Sequence, residues 1–168
     1  MPNHVHLILV PDREEALARA LGETHRRYSS VINARLRVTG HLFQSRFGSV
    51  VLDEDHLVAA ARYVALNPVR ARLVARAQDW RWSSVTAHLH GRDDALVTVA
   101  PLIERSGGRF ADWIEAPTAP AALSALRAAE TIGRPLGSRA FLDRLAVATG
   151  RDPRPKRRGP KPKNMGIE

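Results

Sequence analysis

The 168-residue chain has no cysteine. That excludes disulfides and thiolate metal sites and leaves imidazole, carboxylate, amide or water as the ligands for any metal. Aromatic residues are scarce, with two tyrosines, three tryptophans and four phenylalanines, so each ring in a motif carries weight. No apolar run approaches the ~20 residues of a membrane-spanning helix, and no basic segment precedes a long apolar core at the start. These absences predict a cytoplasmic protein with no membrane partner. Acid is also short, 17 Asp and Glu against 26 Lys and Arg, for a net charge of +9. Such an excess points to a polyanion. Nucleic acid is favoured over a membrane surface, because no strongly amphipathic basic helix stands out. The charge is uneven: residues 151–168 hold seven Lys/Arg and two acids, net +5, and residues 1–150 hold 19 and 15, net +4.

What is present begins with Met1-Pro2-Asn3-His4-Val5-His6, which leads into Leu7-Ile8-Leu9-Val10. Side chains alternate along a strand, so His4 and His6 are predicted to share a face, a geometry suited to one metal ion. Pro11-Asp12 ends this strand, and Asp12 is placed to cap a helix from about Arg13 with Glu14 and Glu15 in its first turn. Leu17, Leu21, Tyr28 and Ile32 form an apolar stripe on that helix, with Arg26, Arg27 and Arg35 off it. Residues 43–52 read as a second strand. Asp53 can cap a helix from about Glu54 to Leu66, which Asn67-Pro68 interrupts and 69–75 resumes. Trp80-Arg81-Trp82 predicts a turn that packs, and Ser83 or Ser84 opens a short helix. The pattern divides the chain into a body, 1–115, a helical extension, 116–150, with helices at 120–132 and 138–149, and a basic tail, 151–168, expected to be disordered alone.

A second constellation is Arg62-Tyr63-Val64-Ala65-Leu66-Asn67-Pro68-Val69-Arg70. Tyr63 and Asn67 lie one helical turn apart on one face. A phenol, with an ordinary pKa of about 10, is a poor nucleophile at neutral pH. Beside a divalent cation that also polarises a phosphate it can attack phosphorus, and an amide oxygen one turn away could join two histidines around that cation. Taken singly, each piece has a plainer explanation: a packing tyrosine, a helix-terminating Asn-Pro, a histidine pair without metal. His88 and His90, at i and i+2 of a helix, would point apart.

Four segments together resemble the single-tyrosine HUH transposases, specifically the REP-associated tyrosine transposases and their insertion-sequence relatives. They are Met1-Pro2-Asn3-His4-Val5-His6-Leu7, Gly40-His41-Leu42-Phe43-Gln44-Ser45-Arg46-Phe47, Tyr63-Val64-Ala65-Leu66-Asn67-Pro68-Val69-Arg70-Ala71 and Trp80-Arg81-Trp82-Ser83-Ser84. The resemblance spans roughly residues 1–90 and continues more loosely into the extension and tail. It implies that His4 and His6 are metal ligands, that Tyr63 is the nucleophile, and that Asn67 is a third ligand. The implied reaction is cleavage and rejoining of single-stranded DNA near a hairpin, with Mg²⁺ or Mn²⁺ as Lewis acid and a 5′-phosphotyrosine intermediate. Nucleoid association and a monomer or homodimer follow from the same likeness. Arg26, Arg27, Arg46, Arg70, Arg72 and the tail residues Lys156, Arg157 and Arg158 are candidate DNA contacts, and Phe47 could stack on an unpaired base or pack in the core.

The implied fold is α+β, a ferredoxin-like antiparallel sheet with helices on one face. Members carry about one strand and one helix before the Met-Pro-Asn-His segment, so a misassigned start, a decayed gene or a partner supplying the missing strand would account for this chain's beginning, the first being preferred. Two other functions fit the sequence: a non-catalytic DNA-hairpin-binding protein derived from such an enzyme, and a two-histidine metalloprotein such as a nonhaem iron oxygenase. The last needs a carboxylate ligand, which no Asp or Glu is placed to supply by pattern alone.

Overall fold

A computed structural model describes residues 1, 3–44, 46–155 and 159. Seven helices carry it: α1 (Ala16–Leu36), α2 (Glu54–Arg70), α3 (Val85–His90), α4 (Ala100–Arg105), α5 (Phe110–Glu115), α6 (Pro120–Ile132) and α7 (Arg139–Thr149), with a 3-10 turn at Ala77–Asp79. The expected ferredoxin-like antiparallel sheet is not formed among the described residues. Among the described residues the β pairing amounts to one isolated parallel bridge, Leu52 to Leu136, so the chain is helical rather than α+β.

The reason lies in what a strand requires. β-Branched residues favour a pleated backbone, but a strand persists only where a neighbour takes up its N–H and C=O groups. Residues 4–10 have no regular secondary structure, and Val5, Leu7, Leu9 and Val10 stand exposed. Segment 43–52 pairs only at its far end, where Leu136 N donates to Val51 O at 2.8 Å and Asp53 N donates to Leu136 O at 3.1 Å. With no sheet to cover, α1 buries no residue. Leu17, Leu21 and Ile32 of its predicted stripe are half-buried and Tyr28 is exposed. The helix also starts at Ala16 rather than Arg13, and Glu15 occupies the cap position without a side-chain bond. Asp12 pairs with Arg13 at 3.5 Å instead.

The interior is built around α2. Asp53 caps it as predicted, accepting from His56 N at 3.1 Å. The helix runs through Asn67-Pro68 to Arg70. Proline removes one backbone donor and crowds the preceding turn, yet Pro68 lies in the last turn, where little helix remains to be disturbed. Ala59, Ala60, Ala61 and Ala65 are buried, and their small side chains let neighbours approach from two sides. On one side Ala65 packs with Val85, Phe110 and Ile114, flanked by Leu66, Leu89, Leu102 and Trp113. On the other, Ala59 and Ala60 pack with Leu126 of α6, flanked by Leu52, Tyr63, Ala122 and Leu136. The helices predicted at 120–132 and 138–149 are α6 and α7, the latter capped by Ser138 Oγ, which accepts from Phe141 N at 3.3 Å.

Candidate active site

His4 and His6 come together without a strand to hold them: their ring centroids lie 4.8 Å apart, edge to face. The His6 ring also meets the Tyr63 ring edge-on at 5.9 Å, so the two sequence-distant motifs converge. Tyr63 is half-buried and belongs to the α2–α6 core cluster. Its other neighbour is Arg70, whose guanidinium lies 4.1 Å from the ring centroid and donates to the Tyr63 carbonyl oxygen at 2.7 Å. That stack and hydrogen bond clamp the ring from the C-terminal end of α2. Asn67 lies on the same helix, and its Oδ1 accepts from Arg70 at 3.3 Å.

The protonation of His6 suits a ligand role. Burial pulls His6 below the ordinary imidazole value, against the opposing influence of Glu130, so the ring is neutral at neutral pH. His4 Nδ1 lies 2.8 Å from Asn3 Oδ1. His6 Nδ1 faces Glu130 Oε1 at 3.7 Å. An oxygen thus lies opposite each Nδ1, and a hydrogen carried there would leave Nε2 as the lone-pair donor. Two imidazoles, with the Asn67 amide oxygen one turn beyond Tyr63 on α2, are a donor set that fits a divalent cation completed by water or phosphate oxygen. Among the described residues no group of three His, Asp or Glu side chains is arranged to hold a metal ion.

The candidate DNA contacts are dispersed. Arg26 and Arg27 lie exposed on α1, where Arg26 Nε donates to Glu23 Oε2 at 2.8 Å and Arg27 Nε to Glu23 Oε1 at 2.6 Å. These bonds, Arg26's first, hold the Glu23 carboxyl down at about 2, so the trio presents a net charge of +1. Arg46 and Arg72 are exposed, and Arg72 adopts a left-handed φ of 57° just beyond α2. Phe47 is half-buried. Lys156, Arg157 and Arg158 lie outside the described residues. Of the proposed arginines among the described residues, Arg70 is the one placed at the His-Tyr centre.

Two features escaped the sequence reading. Glu130 reaches His6 from α6, and Glu130 and Arg127 both lie within electrostatic reach of Arg70. The signal was faint: Glu130 is the single acid between residues 116 and 142, spaced four and eight residues beyond Leu126 and Ala122 on one helical face. The Trp80-Arg81-Trp82 turn packs only in part. Trp80 is half-buried, but Trp82 is 73% exposed with Arg81 stacked 4.4 Å from its ring centroid. A cleft of about 590 Å³ lined by Arg81, Ser83, Thr86, His90, Arg92 and Asp94 lies beside that turn and includes neither His4, His6 nor Tyr63. His88 and His90 do point apart: His88 is buried, with Nδ1 2.7 Å from Ser84 O and its ring stacked on Phe110, while His90 is exposed. No helix among the described residues is long and apolar enough to cross a membrane. Compared with family models, with curated proteins and with solved structures, the chain gives no match.

Proposed function

We propose that the chain is a metal-dependent DNA transposase or strand transferase of the REP-associated tyrosine type, acting in the cytoplasm on single-stranded, hairpin-forming DNA at the nucleoid as a monomer or homodimer. The observation that carries this reading is the His6 ring set between its partner histidine and the tyrosine, 4.8 Å from the His4 ring and 5.9 Å from the Tyr63 ring. The four resembling sequence segments and the net charge of +9 support it.

Tyr63 Oη forms the new bond to phosphorus while the bond from phosphorus to the 3′ oxygen breaks. The leaving 3′ oxygen takes a proton from solvent and departs as a 3′-hydroxyl, the phenolic proton passes to solvent, and a 5′-phosphotyrosine remains. Attack by another 3′-hydroxyl reverses the step on a new strand, so no external energy source is required. Arg70, stacked on Tyr63 and bonded to its carbonyl oxygen, fixes the ring against rotation during attack. Mg²⁺ or Mn²⁺, held by His4 and His6 with Asn67 as third ligand, would supply Lewis-acid polarisation of the scissile phosphate. For Asn67 to serve in that way its Oδ1 must leave Arg70.

Incubation with a hairpin-bearing single strand and Mn²⁺ tests the reading. A protein–DNA adduct that survives denaturation and disappears in Tyr63→Phe is the expected result. Salt-sensitive binding with no adduct in the unaltered chain would instead identify a non-catalytic hairpin-binding protein.

A further inference from the structure

Glu130 has no role in the chemistry above, yet its carboxylate is the acidic group that faces His6. The placement follows from α6. Ala122, Leu126 and Glu130 recur every four residues on one face, and the first two pack into the cluster containing Tyr63. Burying Leu126 against α2 therefore delivers Glu130, one turn further on, to the histidine pair. The carboxylate is 43% exposed and lies 3.7 Å from His6 Nδ1, longer than a direct hydrogen bond. Closing to about 2.9 Å requires only a small swing of an arm with three rotatable bonds.

We propose that Glu130 is the positioning residue for His6: its carboxylate accepts Nδ1–H, which fixes the ring orientation and tautomer so that Nε2 is presented to a divalent cation. Asn3 Oδ1, 2.8 Å from His4 Nδ1, performs the same service for the other ring. A metal-bound imidazole commonly gives its second N–H to a carboxylate or carbonyl oxygen, and losing that partner typically weakens metal binding 10–100-fold. The α6 helix, from the segment read as an appendage, thus becomes part of the metal centre's support.

This inference rests on the proposed metal role of His4 and His6 and is tested without DNA. Mn²⁺ binding by full-length protein, followed as free Mn²⁺ by electron paramagnetic resonance, should weaken about 10–100-fold in Glu130→Ala. Glu130→Gln, which keeps an oxygen acceptor, should retain most of the affinity. Long-range ¹⁵N correlation spectra of metal-free protein, recorded above the imidazole titration range, should show His6 protonated at Nδ1 in the parent and shifted toward Nε2 in Glu130→Ala. Circular dichroism checks that each variant is folded. Equal loss in Glu130→Ala and Glu130→Gln would make Glu130 a direct ligand and overturn the positioning role. Unchanged affinity and tautomer in Glu130→Ala, or no Mn²⁺ binding by the parent chain, would overturn it as well. Intact metal binding with no Tyr63 adduct would overturn the proposed transferase while leaving this inference standing.

Discussion

Asp53 shows how much a single side chain can organise here. One carboxylate oxygen caps α2 through His56 N, and the other accepts from Ser138 N at 2.6 Å, tying the start of α2 to the start of α7. Its partial burial alone would raise the carboxyl, but the hydrogen bonds from Ser138 and His56 outweigh burial and hold it below the ordinary value. Replacing Asp53 by Ala removes cap and tie together and should cost about 1–3 kcal/mol in urea denaturation. The sign of the pH effect follows from the depressed carboxyl. Its stabilisation is full above the unfolded value of about 3.9 and is lost as pH falls through the lower folded one. The gap in stability between parent and Asp53→Ala should therefore narrow in that acid window, as denaturation at stepped pH will show. Gly137 belongs to the same junction. A Cβ there would collide with the Phe141 ring and sit 2.9 Å from Asp53 Oδ2, so Gly137→Ala should lower the urea midpoint in the same direction.

Among the elements, the α2–α6 contact decides whether the candidate site exists. Leu126 is 6% exposed within the cluster that includes Tyr63, and its truncation leaves a void on both helices. Leu126→Ala should destabilise by about 2–4 kcal/mol and, because it frees α6, should also weaken Mn²⁺ binding although Leu126 touches neither histidine. Urea denaturation and metal titration of one preparation check both effects. These elements were legible in different degrees. Asp53 and Ser138 marked helix starts through local chemistry, and α6 and α7 appeared where apolar spacing placed them. The strands did not, because the β-prone composition of His4–Val10 and 43–52 would suit a sheet without providing the neighbour that makes one. Helix ends were also partly misread: α2 passes Pro68, since a proline in the final turn disturbs little.

For the molecule as a whole, charge is the property that reaches furthest. Residues 151–168 contribute +5 of the +9 and follow α7 in the sequence. Removing them should lower affinity for single-stranded DNA uniformly across sequences and reduce the steepness of its salt dependence by up to roughly 3 units of log K per log salt. Adduct formation at low salt should persist, because His4, His6, Tyr63, Asn67, Arg70 and Glu130 all lie before residue 151. Fluorescence anisotropy across a salt series, paired with the adduct assay, checks both outcomes.

The sequence alone determined the features that depend on residue identity and near neighbours: a thiol-free set of side chains, a basic balance and caps at Asp53 and Ser138; it also carries the proposal that His4, His6, Tyr63 and Asn67 serve one chemistry. Tertiary structure decided that His6 meets both His4 and Tyr63, that Arg70 clamps the ring and engages Asn67, that Glu130 arrives from a separate helix, and that no sheet forms among the described residues. The difference is physical. Propensity and side-chain chemistry are written residue by residue, whereas pairing, burial and the approach of α6 to α2 depend on groups far apart in the chain finding partners in space.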